Sequence, residues 1–135
     1  KVVCGGSGDG VYYKPTIVDR VTRDMQLYHE ESFGPIVAIV RVSGDDEAVR
    51  VANDSEYGLS SAVFGRDVSR AISVAQRIEA GMCHIKSPTV QDEPQMPFGG
   101  VKASGLGRFG GLAGVHEFTE LRWLSIALQP RHYPF

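Results

Sequence analysis

Residues 59–85 read LSSAVFGRDVSRAISVAQRIEAGMCHI, and this stretch decides the fold. It holds a strand pattern over 59–64, a helix over 68–80 and a second short apolar run over 82–85. In the helical part Val68, Ala71, Ile72, Ala75 and Ile78 recur at spacings of three and four, the mark of one buried face. Asp67 stands where an N-cap belongs, and Gly81 where a C′ glycine would release the chain. A strand, a helix and a strand in succession imply a βαβ unit and parallel pairing.

The flanks repeat the theme. Pro35 to Val42 is nearly all apolar and β-branched, as expected of a strand covered on both faces. Ser43, with Asp46 three residues on, can cap a helix running to about Ala52, and residues 53–58 break it. Residues 15–21 offer another strand. Before it, Gly5, Gly6, Gly8 and Gly10 around Ser7 and Asp9 make residues 4–13 read as a loop. Residues 86–114 are rich in Pro, Gly and Ser and show no period; a short helix over 111–118 and a last strand over 121–128 follow. The expected architecture is α/β: a mainly parallel sheet with flanking helices.

Composition narrows the function classes. The 135 residues include 14 basic and 16 acidic ones, a formal net charge of -2 at pH 7. That balance speaks against nucleic acid, whose binding rests on clustered Lys and Arg. Hydrophobic residues make up 42% and charged residues 22%, enough apolar surface to expect a folded chain and too few charges for a disordered one. No apolar run reaches the ~20 residues of a membrane helix. With two cysteines the chain has no disulfide framework, and a cytoplasmic, reducing setting is expected. Opening at Lys1 and going almost at once into strand-like residues, the sequence reads as a piece of something longer.

Several motifs resolve into bland readings. Gly105-Leu106-Gly107-Arg108-Phe109-Gly110 matches G-x-G-x-x-G, but no strand precedes it and no acid follows near Gln129, so it reads as a structural turn. Cys83 and His84, with His29, His116 and His132 elsewhere, lack the paired spacing of a metal site. Cys83 falls within an apolar strand and Cys4 has no base nearby in sequence, so neither is expected to be a nucleophile. Two loops are denser in chemistry: His29-Glu30-Glu31-Ser32-Phe33-Gly34-Pro35 places two acids and an aromatic at a strand entry, and Pro97 to Gly105 is a constrained glycine loop.

Taken in order, these residues resemble the C-terminal part of the NAD(P)-dependent aldehyde dehydrogenase superfamily. Tyr13-Lys14-Pro15-Thr16 is similar to its Phe-x-x-Pro-Thr element, Glu30 to Pro35 to its Glu-Glu-x-Phe-Gly-Pro motif, and Asn53 to Phe64, with Tyr57-Gly58-Leu59-Ser60, to its Asn-x-x-x-Tyr-Gly-Leu segment. Ala80-Gly81 and the run from Pro97 to Arg108 complete a series that covers essentially the whole chain. The resemblance implies the C-terminal part of a catalytic domain in residues 1–118 and an oligomerisation strand and tail in 119–135. It implies that Glu31 holds the nicotinamide ribose hydroxyls of NAD or NADP, and that Phe33 lies beside the nicotinamide. Phe98 would line the aldehyde pocket, with residues 87–96 in its wall. The family's reaction runs through a cysteine thiolate, a hydride transfer and a glutamate-activated water. Both the nucleophilic Cys and the general-base Glu belong upstream of Glu31, in segments this chain lacks, so the chain alone is expected to be inactive. Phe109 replaces the family's usual Glu, and Lys86 its usual Asn. Phe109-Gly110-Gly111 and Pro88 to Glu93 resemble the branch acting on benzaldehyde, salicylaldehyde or vanillin. Expected partners are a small aldehyde and further copies of the chain, with no nucleic acid and no membrane. The competing reading is a non-catalytic interaction module that pairs through its last strand.

Overall fold

The computed structural model describes residues 1–134. The chain forms Val2–Cys4 (β1), Gly8–Asp9 (β2), Tyr12–Tyr13 (β3), Thr16–Asp19 (β4), Gln26–His29 (α1), Ile36–Ile39 (β5) and Gly44–Asn53 (α2). Tyr57–Gly58 (β6), Ser60–Val63 (β7), Val68–Ala75 (α3), Met82–Ile85 (β8), Val101–Lys102 (β9) and Gly111–Glu117 (α4) complete it.

The parallel pairs stand where the βαβ pattern places them. β7 pairs with β8 from Ser60↔Met82 to Val63↔Ile85, and β4 pairs with β5 from Thr16↔Ile36 to Asp19↔Ile39. β1 adds to the edge of β4 antiparallel, giving a three-stranded sheet. α3 packs against both β7 and β8. The Asp67 side chain accepts the Arg70 N–H at 3.1 Å, the expected cap.

Four local readings change. α3 ends at Ala75 rather than Ala80. Beyond it the chain tightens into i→i+3 turns, Arg77 N–H to Val74 C=O and Ile78 N–H to Ala75 C=O. Asn53 then takes over both kinds of freed group: its amide donates to the Arg77 carbonyl at 2.9 Å and its Oδ1 accepts the Glu79 N–H at 2.8 Å. Gly81 is therefore not a left-handed helix cap. It is small because a Cβ there would overlap the Gly99 carbonyl oxygen, so β8 and the 97–105 loop touch backbone to backbone. Second, the Ser43 hydroxyl makes no cap bond at α2; the Glu47 carboxylate instead reaches back and accepts the Ser43 N–H at 2.7 Å. Third, residues 4–13 are not all loop. Cys4 ends β1, and β2 and β3 form a hairpin whose two-residue turn has Gly10 at φ 57°, a conformation that favours glycine. The Thr16 hydroxyl, accepting the Gly6 N–H at 2.8 Å, pins the link between β1 and β2 to β4.

Fourth, residues 121–128 form no strand: no ladder partner for them exists among the described residues. A strand needs a neighbour to bond, and an extended segment without one stays irregular. The same openness marks β5, expected to be covered on both faces; Val37 and Ile39 are exposed. Buried apolar side chains are confined to Val21, Val49 and Ala71 among the described residues. Among the described residues no helix is long and apolar enough to cross a membrane.

Candidate active site

Three hollows hold the three residues singled out by resemblance, one in each. Phe98 is half-buried and shares a cavity of about 310 Å³ with Met82, Cys83, His84, Met96 and Pro97. β8 supplies one wall, and the 91–98 segment supplies the other. Phe98 is held by its backbone, which exchanges both hydrogen bonds with Phe109: Phe98 N–H to Phe109 C=O at 2.8 Å and the reverse at 2.7 Å. The Arg108 guanidinium ties the same loop by donating to the Gly100 and Gly107 carbonyls at 2.8 and 2.6 Å. Ser60 Oγ, donating to the Thr89 carbonyl at 2.9 Å, fastens the outer wall to β7, and Ser87 bonds Gln91 within that wall.

His84, which sequence reading set aside, stands in this cavity's wall with Nε2 buried and unpartnered among the described residues. A buried polar atom left unmade costs about 1–3 kcal/mol, so it needs a water, a ligand or another chain. Cys83, expected to be hidden in an apolar strand, is exposed at the same rim.

Glu31 borders a second, more open hollow of about 570 Å³ with Tyr57, Leu59, Ser60 and Ser104. Its exposed carboxylate has no partner among the described residues, whereas Glu30 beside it is engaged by Gln26 Nε2 at 2.9 Å. The hollow's floor is fixed by the Gly58 N–H donating to Ser104 Oγ at 2.9 Å and by the β6–β9 ladder. Phe33, 94% exposed, lies in a third hollow with Tyr12, Tyr13 and Pro35. The chain thus provides a pocket of mixed lining, with Met82, Met96, Pro97 and Phe98 alongside Gln91, Asp92 and Glu93, and a free carboxylate in a different hollow. Among the described residues no group of His, Cys, Asp and Glu gathers as metal ligands.

Residues 1–124, carrying all three of these surfaces, match the model of the Aldehyde dehydrogenase family. The chain belongs to the aldehyde dehydrogenase family. Among the relatives of this aldehyde dehydrogenase chain, a vanillin dehydrogenase of a Pseudomonas species is 58% identical over 132 residues, 98% of this chain and 27% of that enzyme. The crystal structure of a salicylaldehyde dehydrogenase from Pseudomonas putida G7 complexed with salicylaldehyde superimposes with a TM-score of 0.93 at 54% identity, over 100% of this chain and 28% of that one. A Mycobacterium tuberculosis aldehyde dehydrogenase complexed with NAD+ is 37% identical at a TM-score of 0.81, over 89% of this chain and 26% of that one. The aldehyde dehydrogenase chain described here thus spans little more than a quarter of the length of these relatives.

Proposed function

We propose that this chain forms the aldehyde-facing and nicotinamide-facing side of an enzyme that oxidises an aromatic aldehyde to its carboxylic acid with NAD or NADP. The observation that carries the reading is the Phe98 cavity, lined by Met82, Met96 and Pro97 as well as by Gln91, Asp92 and Glu93, in a chain 54% identical to a salicylaldehyde-bound relative. The Phe98 ring, with the apolar Met82, Met96 and Pro97 beside it, offers a surface on which an aromatic ring can pack.

Phe98 lines the aldehyde pocket. Glu31 accepts hydrogen bonds from the two ribose hydroxyls next to the nicotinamide, and its free carboxylate has the acceptor capacity for both. Phe33 packs beside the nicotinamide. The cofactor, when bound, accepts the hydride that leaves the aldehyde carbon. The nucleophilic cysteine and the general-base glutamate come from segments outside this chain; Cys4 and Cys83 do not take that part. Residues 1–118 complete a catalytic domain and residues 119–135 join subunits, with the exposed Leu121, Trp123, Leu124 and Ile126 available for the pairing. The enzyme works in the reducing cytoplasm, in keeping with two cysteines that are both free.

The test is turnover by the polypeptide encoded in the whole reading frame against turnover by this chain alone. Supplied with NAD or with NADP, the former is expected to form the reduced cofactor with benzaldehyde in preference to acetaldehyde, and the latter to form none. Preference for acetaldehyde would overturn the aromatic assignment, and no activity from the whole polypeptide would leave the interaction module as the reading. Glu31→Gln is expected to raise the cofactor KM by about tenfold, the equivalent of one charged hydrogen bond weakened.

A further inference from the structure

The outer wall of the Phe98 cavity rests on the entrance of α4, and two glycines make that seat. The wall is pinned on both sides of the seat. Phe98 and Phe109 exchange backbone hydrogen bonds at 2.8 and 2.7 Å, and the Gly111 N–H donates to the Pro94 carbonyl at 3.0 Å. Between these pins the backbones run in direct contact. A Cβ on Gly110 would overlap the Met96 carbonyl oxygen and lie 3.1 Å from that of Pro94. A Cβ on Gly111 would overlap the Gln95 carbonyl oxygen and lie 3.1 Å from its carbonyl carbon. Both glycines have positive φ, 85° and 49°. The requirement is local: at Gly114, within the same helix, a Cβ would meet nothing nearer than 3.8 Å.

We propose that Gly110 and Gly111 are positioning residues that set substrate size in the Phe98 cavity. They let residues 94–96 settle onto α4 and so hold Met96, Pro97 and Phe98 at the spacing that admits a ring. The inference rests on reading that cavity as the aldehyde pocket. A Cβ at either position must displace one side of the seat. The α4 side is anchored by Gly114 N–H to Gly110 C=O at 3.1 Å and by Arg108 N–H to the Glu117 carboxylate at 3.2 Å. The exposed 94–96 segment is the side that yields. Its movement reshapes the slot around a ring and leaves a two-carbon aldehyde unhindered.

The experiment is steady-state kinetics of the whole polypeptide with benzaldehyde and with acetaldehyde, for the wild type, Gly110→Ala, Gly111→Asn and Gly114→Ala. Asn tolerates the left-handed backbone, so Gly111→Asn isolates the steric contact from the strain. Gly110→Ala and Gly111→Asn are expected to raise the benzaldehyde KM by about tenfold, with kcat and the acetaldehyde KM little changed. Gly114→Ala should match the wild type. Equal effects on both aldehydes, or none, overturn the inference. So does failure of both seat variants to fold, because the glycines would then serve the fold as a whole. A wild type that oxidises no aldehyde overturns the aldehyde reading and this inference with it, whereas an active wild type with unsplit variants overturns this inference alone.

Discussion

Asp19, at the end of β4, is buried, and its carboxylate accepts three hydrogen bonds. Arg41 grips it in a fork, Nε to Oδ1 at 2.9 Å and Nη2 to Oδ2 at 2.7 Å, and the Arg20 N–H donates to Oδ1 at 2.9 Å. The last bond steadies Arg20 in the left-handed region at φ 60°, a strained place for a side chain. The Arg41 hydrogen bond holds the Asp19 carboxyl down at about 2, against an ordinary value of 3.8. A depressed folded-state pKa favours the fold at pH above 3.8, and that contribution is lost as pH falls from there toward 2. Thermal melts of this chain should therefore lose stability across that window. Asp19→Asn should melt lower at neutral pH and show a flatter acid limb; an unchanged limb would refute the assignment. Nothing in the local sequence marks this pair, because Asp19 ends β4 and Arg41 lies two residues past the end of β5, and the β4–β5 ladder brings the two strand ends side by side. Asn53 is similar. Its place in the Asn-x-x-x-Tyr-Gly-Leu segment was legible, but its work at the end of α3 was not.

Among elements, the helices with a period were read well and the shortest strands were missed. α2 and α3 carry their own signals, acids in the first turn of one and a capping aspartate on the other. Arg70 of α3 pairs with Asp45 of α2 at 2.6 Å, and Arg77, in the turn after α3, pairs with Asp46 at 2.7 Å; both are exposed pairs that contribute little. β6 and β9 are two residues each and have no period to read. What joins them to the helices is Lys102. Its ammonium donates to the Asn53 and Ser55 carbonyls at 2.9 and 3.1 Å and pairs with Glu79 at 2.6 Å. It thereby ties the end of α2 and the turn after α3 to the edge of the Glu31 hollow. Lys102→Met keeps the stem and removes the charge, and should lower unfolding stability by about 1–3 kcal/mol in urea titration. Loss of less than a few tenths would show the three contacts to be incidental. Glu79→Gln, removing only the exposed partner, should cost much less.

For the whole molecule the decisive feature is how little is enclosed. No large side chain is fully buried among the described residues, and an apolar row from Leu121 through Trp123 to Leu128 stands open, Trp123 at 91% exposure. Trp123 is the sole tryptophan, so its fluorescence reports on this row alone. At low concentration its emission is expected at the wavelength of a water-exposed indole. It should shift to the blue as chains associate, and Leu124→Glu should abolish the shift. Emission independent of concentration would count against pairing through residues 119–135.

The sequence by itself determined the α/β class, the order of the main elements, the face and cap of α3, and, through Glu31 to Pro35 and Pro97 to Arg108, the family. These rest on periodicity, caps and local motifs, interactions among near neighbours that a linear text records. The tertiary structure alone decided where α3 stops, that a hairpin precedes β4, and that residues 121–128 find no partner within the described chain. It also placed Met82, Met96 and Phe98 around one cavity, with Glu31 and Phe33 in hollows of their own. Those outcomes depend on contacts between residues tens of positions apart, where backbone meets backbone at Gly81 and at Gly110–Gly111, and no period in the sequence encodes which distant carbonyl a missing Cβ makes room for.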